Sequence, residues 1–259
     1  MIMKRLCKLA FLAFLIGGAW IGWKYQNQLV SFYNEHFKKD ESSYAEFAPD
    51  PERYQKLKSE LSEKRRKLSI RYEKARTARE ISTLHREARE TLESALPEMM
   101  RCWLGTPWDF NGTAKTPGSG KIACGYYVST IMQDVGFKVQ RVQLAQQASQ
   151  NIIKTFVPTS DMHIRTQLSY DDFLEQVEAR GPGVRIVGLD RHVAFLVVPE
   201  DGEIRFIHSS GASPKRVVDE DRENADVLRR SKYRVTGNIT GNDQVIHKWL
   251  TGGFWPTST

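Results

Sequence analysis

Along residues 121–137 the apolar residues Val128, Ile131, Met132 and Val135 recur at helical spacing, and Gly136 follows as a stop signal. The spacing predicts a short amphipathic helix with Cys124 at its head. Upstream, residues 52–100 contain no glycine and a single proline, Pro97, and consist mostly of Glu, Lys, Arg, Ala and Leu, so they read as one long helical segment. Apolar positions are sparse in its first half, which predicts a solvated stalk; from about residue 82 the segment is apolar enough to join a globular body. Residues 143–156 place Leu144, Ala148 and Ile152 on one helical face. Ser169 and Asp172 form a capping-box pattern for a further helix to about Ala179, stopped by Gly181-Pro182-Gly183. Three β-branched runs follow, at 184–188, 193–198 and 204–207, separated by short turns such as Glu200-Asp201-Gly202, and they predict an antiparallel β-meander. Residues 213–230 are polar and read as a surface loop or short helix, 233–239 as another strand, and Trp249, Phe254 and Trp255 as anchors packing the tail on the domain. The pattern is that of an α+β protein.

The first 25 residues differ from all of this. Lys4, Arg5 and Lys8 precede an uncharged run to Trp23, an apolar stretch of about 18 residues, with Trp20, Trp23 and Tyr25 where an aromatic belt would lie. The reading is a single-pass anchor with a cytoplasmic N-terminus; a cleaved signal peptide at Gly17-Gly18-Ala19 is the rival. Three segments follow from the pattern: residues 1–25 as anchor or signal, 26–81 as polar linker and helical stalk, and 82–259 as the globular domain.

Composition narrows the chemistry only modestly. A chain of 259 residues with 40% hydrophobic content can bury one good core, and a net charge of +7 favours an anionic partner surface without choosing among lipid, wall polymer and nucleic acid. Three cysteines, Cys7, Cys102 and Cys124, are too few and too irregular for a disulfide framework, though a Cys102–Cys124 bridge is open in an oxidising compartment. Gly118-Ser119-Gly120-Lys121 fails as a phosphate loop, because Lys115 and Ile122 occupy the positions that need Gly and Ser/Thr.

Cys124 at a helix start sits among unpaired amides that stabilise a thiolate. A hairpin closed at Glu200-Asp201-Gly202 brings His192 beside His208 on one sheet face. Nucleophile, base and orienting group are then all supplied, whereas His36, His85, His163 and His247 read as structural.

The order of these features is the basis of a resemblance. A helix ending in Leu104-Gly105-Thr106-Pro107-Trp108, an aromatic loop with Asn111-Gly112, and Ala123-Cys124-Gly125 opening a helix resemble the NlpC/P60 cysteine peptidases, over roughly residues 92–210. The resemblance implies a papain-like domain in which Cys124 attacks a carbonyl carbon, His192 (in Arg191-His192-Val193) moves the proton, and His208 orients His192. It departs at Ala123 and Gly125, where the family commonly has Asp and Ser, and at Trp108, where it has a tyrosine; Trp108 and Asp109 are therefore the candidate substrate or oxyanion residues, with Asn111 as a substitute. The implied activity is cleavage of an amide bond, in peptidoglycan stem peptides, by a membrane-anchored enzyme facing the periplasm or cell exterior. Alternatives are a related acyltransferase or esterase and a catalytically silent envelope scaffold. Expected partners are peptidoglycan peptides, the membrane through the N-terminal helix and an envelope complex through the stalk, with no nucleic acid, no metal and no cofactor.

Overall fold

Asp50 accepts a hydrogen bond from the Arg53 amide and Pro51 fills the first helical position, so the chain enters α1 (Pro51–Lys74) with its N-terminus already capped. The computed structural model describes residues 47–259. The apolar run behind the anchor expectation lies outside the described residues, and among the described residues no helix is long and apolar enough to cross a membrane.

The segment read as one helix over 52–100 is two. Ala75 leaves helical geometry, and Thr77 accepts from the Glu80 amide while the Glu80 carboxylate accepts from the Thr77 amide, a reciprocal cap that starts α2 (Ala78–Arg101). Such a cap is worth about 1 kcal/mol.

The stalk expectation is also corrected. Helix α1 lies antiparallel along α2 and against α8 (Asp243–Thr251), with Tyr54, Leu61 and Leu68 buried. Tyr54 Oη and Lys58 Nζ donate to the Asp134 carboxylate at 2.9 and 2.6 Å, Arg65 forks onto the Trp249 carbonyl at 2.9 and 2.7 Å, and Ser69 Oγ donates to the Leu250 carbonyl at 2.6 Å. The docking stripe thus combines a sparse apolar row, Tyr54, Leu61 and Leu68, with polar side chains whose heads bond to the domain, and a count of apolar residues registers only the first part. The compact unit accordingly begins at Phe47, ahead of the boundary near residue 82.

After α3 (Cys124–Asp134), β1 (Lys138–Val139) pairs in parallel with β8 (Phe254–Trp255) at the tail. The helix expected over 143–156 is divided into α4 (Arg141–Ala145) and α5 (Ser149–Phe156), because Ala148 takes an extended backbone as the N-cap of the second.

The main sheet has six strands in the order β2-β7-β3-β4-β5-β6, every neighbouring pair antiparallel. They are β2 (Met162–Thr166), β3 (Gly183–Leu189), β4 (Val193–Val198), β5 (Arg205–Ser209), β6 (Val217–Glu220) and β7 (Tyr233–Asn238). The meander of β3, β4 and β5 is as expected; β2 is an additional strand, and β6 lies in the stretch read as loop or short helix. Side-chain alternation divides the core in two. Val193, Phe195 and Val197 of β4 join the larger cluster with α1, α2, α3, α5 and α8. Ala194, Leu196 and Val198 join a smaller one under α6 (Tyr170–Glu178) and α7 (Asp226–Arg230). Helices thus cover both faces of an antiparallel sheet, an α+β arrangement.

Candidate active site

Cys124 is the first residue of α3, whose N-cap, Ala123, offers no side-chain hydrogen bond, so the first-turn amides face outward. Three tethers place it. Ile122 is fully buried and its carbonyl accepts from Ser209 Oγ at 2.7 Å, tying the approach to β5. The Ile122 amide donates to the Pro107 carbonyl and the Ala123 amide to the Gly112 carbonyl, both at 2.9 Å. A side chain on Gly125 is excluded, since a Cβ there would lie 2.2 Å from the Ala145 carbonyl oxygen. That close approach of α4 gives a packing reason for glycine where the resembling family has serine.

Cys124 is partly exposed. Burial pushes its thiol pKa up, and the amides of Val193, Gly125 and Cys124 itself pull the other way without cancelling the shift. The helix-start argument alone anticipates a depressed value; desolvation outweighs it here. The influence of the Val193 amide puts the sulfur near the beginning of β4, one residue beyond His192.

His192 Nε2 lies 2.7 Å from His208 Nδ1, so the two imidazoles that the hairpin reading brings together are bonded directly. Their register differs slightly from that reading. Phe195 faces Ile207 and Leu196 faces Phe206, and continuing the pairing makes His192 and His208 diagonal neighbours on one face. His192 is held by the strand turn as well, its carbonyl accepting from the Leu189 amide at 2.8 Å. Burial holds the His192 pKa well below its usual 6.5, and a proton gained by His208 would lower it further, so the ring is neutral at pH 7.

A fourth group completes the line. Glu220 Oε2 is 3.1 Å from His208 Nε2, and both residues are buried, with His208 fully so. Strand β6 delivers it: Val218 pairs with His208 and Glu220 with Phe206, placing the carboxylate diagonal to the imidazole on the same face. The preceding residue, Asp219, points the other way and accepts from Arg101 of α2 and Arg205, each at 2.8 Å. Sequence reasoning missed Glu220 because its strand is only four residues long and half acidic. The Val217-Val218 pair ahead of it is the one signal.

Trp108 and Asp109 lie in the loop that flanks residues 122–123. The Trp108 amide donates to the Lys215 carbonyl at 2.9 Å, and its indole lies over Gly211, where a Cβ would come within 2.9 Å of the ring. Asp109 is committed to its own loop: its carboxylate accepts from the Asn111 amide at 2.9 Å and Lys121 Nζ at 3.3 Å, and these bonds hold its pKa below the usual carboxylate value. Asn111 lines the same open surface depression as Asp109. Cys102 is buried on α2's C-terminal side, and both it and Cys124 are free thiols. Among the described residues no set of three or more His, Cys, Asp and Glu side chains is arranged to hold a metal ion.

The site thus combines a partly exposed sulfur at a helix start with a neutral imidazole at the head of a strand, backed by a buried His–Glu pair. Thiol chemistry of the acyl-transfer type uses a nucleophile, a base and an orienting group of these kinds. No known protein-family model matches the chain, and no curated protein matches it in sequence.

Proposed function

We propose that this chain is a thiol hydrolase of papain-like, NlpC/P60 type that cleaves an amide bond, with peptidoglycan stem peptides as the substrate class and the N-terminal apolar run as a single-pass anchor that keeps the body on the periplasmic or outer side of the cell membrane. The observation that carries the reading is the directly bonded His192–His208 pair at the head of the strand whose first amide, that of Val193, acts on the Cys124 thiol. In the proposed reaction Cys124 Sγ attacks the carbonyl carbon as His192 accepts the thiol proton; the amine departs with that proton, leaving a thioester that water hydrolyses, again through His192. The Cys124 amide stabilises the oxyanion, as expected for a donor in the first turn of a helix. Because both the thiol and the imidazole are neutral at rest, deprotonation accompanies attack instead of preceding it as a standing ion pair.

The test is mass-spectrometric analysis of muropeptides after incubation with the full-length chain and with its Cys124→Ala variant. New free amines with the first and none with the second are expected; identical products from both sink the proposal. One observation favours a second reading, a silent envelope module: the same burial that raises the thiol pKa makes an inert cysteine. Under that reading Cys124 reacts with iodoacetamide no faster than a buried structural thiol, and His192→Ala does not change its rate.

A further inference from the structure

We propose that Glu220 is a positioning residue that sets the tautomers of His208 and His192, so that the unprotonated nitrogen of the line falls on His192 Nδ1; the inference rests on the thiol-hydrolase reading for its purpose, though not for its geometry.

A neutral imidazole carries one N–H and one lone pair, and which nitrogen holds the proton is decided by the partners. Two bonded imidazoles make a single N–H···N bond in either direction, so the His192–His208 contact at 2.7 Å does not choose between them. The choice is made at the far end. In this proposal Glu220 is ionised: a carboxylate can then only accept, so with Glu220 Oε2 3.1 Å away the proton of a neutral His208 belongs on Nε2. His208 Nδ1 is then a lone pair, and His192 must donate from Nε2. That leaves His192 Nδ1 as the basic nitrogen.

Reversing the chain shows what Glu220 prevents. If His208 carried its proton on Nδ1, it would donate to His192 Nε2, and the His192 proton would move to Nδ1. A ring in that state has no lone pair on Nδ1 with which to take the thiol proton. Burial reinforces the preference for neutral rings, since it disfavours a charged His192. Glu220 itself is only 6% exposed, so water competes little for its oxygens.

The test is long-range ¹H–¹⁵N correlation on the full-length chain labelled at histidine, at neutral pH, with and without Glu220→Gln. In the wild type both His192 and His208 are expected as the Nε2–H form. In Glu220→Gln, where the amide NH₂ can donate to His208 Nε2, the His192 proton is expected to move to Nδ1. Alkylation of Cys124 by iodoacetamide at pH 7, followed by peptide mass mapping, is then expected to slow about 100-fold. The two proteins are expected to converge at a pH high enough to ionise the thiol without a base; a variant that had merely misfolded would not converge. A wild-type His208 that carries its proton on Nδ1, or protons on both nitrogens, overturns the proposal without any variant being needed. Slow Cys124 alkylation that is also insensitive to His192→Ala would instead strike the hydrolase reading, while the tautomer spectra would still decide the role of Glu220.

Discussion

Among the described residues two histidine pairs each lie close to a carboxylate, and they differ in what surrounds them. His192 and His208 are bonded nitrogen to nitrogen, His208 has no exposed surface, and Glu220 lies behind it at 3.1 Å. His85 and His247 instead share the Tyr72 hydroxyl, at 3.1 and 2.8 Å, where α1, α2 and α8 meet, and the nearest carboxylate oxygen, on an exposed Asp243, is 3.7 Å from His85. A phenol between two imidazoles donates to one and accepts from the other, so that site is satisfied in more than one protonation pattern. Water reaches it as well. In the buried pair the carboxylate lies directly behind His208, and under the proposal it fixes the protons of the line. What separates a candidate catalytic pair from a structural one here is burial together with a committed acceptor, not the presence of two histidines.

The sharpest way to break this comparison is His192→Ala against His85→Ala. Under the hydrolase reading the first slows Cys124 alkylation at neutral pH by on the order of 10²–10³-fold, and the second leaves the rate within about twofold. Equal rates in the two variants would erase the distinction. Next in size is His208→Ala, which leaves the Glu220 carboxylate buried without its imidazole partner; equilibrium denaturation is expected to show a loss of about 2–4 kcal/mol.

A pH comparison comes third. The folded His192 pKa is depressed, so as pH falls the unfolded chain takes up this proton first. The stability held by a neutral His192 is intact above about pH 6.5 and is lost as pH drops below it towards the folded pKa. The denaturation midpoint should therefore fall between about pH 7.5 and about pH 5.5, and the fall should be shallower in His192→Ala. The smallest effect belongs to the other pair. Tyr72→Phe removes one partly exposed hydroxyl and is expected to cost about 1 kcal/mol or less, with Cys124 alkylation unchanged.

How much was legible depended on which force built each part. Strands β3, β4 and β5 are buried on both faces and read as apolar β-branched runs, so their meander, and with it the meeting of His192 and His208, followed from pattern. Cys124 at a helix start was equally plain. The docking of α1 was missed because its apolar row, Tyr54, Leu61 and Leu68, is sparse, and Lys58, Arg65 and Ser69 complete it by reaching acceptors that lie far away in the chain. The break before α2 was readable in principle: Thr77-x-x-Glu80 is a capping box within an otherwise uniform run. Glu220 could not be found by period, since its strand is too short to show one. The shift in the thiol pKa was hidden for a different reason. Helix position is written in the sequence, but the depth at which a helix start is buried is set by the whole fold.

Strand β6 has one further consequence. Its last two residues are both acids and leave the backbone on opposite sides, Asp219 towards the guanidinium groups of Arg101 and Arg205 and Glu220 towards His208. A slip of one position would bring Glu220 to the arginines and Asp221 to the imidazole, the longer acid where the shorter had been and the reverse, with no change in net charge on either side. Electrostatics alone would scarcely notice such an error; reach would. The outer edge of β6 is pinned by the Gly105 amide on the Val217 carbonyl and the Val217 amide on the Thr106 carbonyl, at 3.0 and 2.9 Å. The turn after α2, immediately ahead of the aromatic loop, therefore acts as the ruler that decides which of two neighbouring acids the histidine line receives.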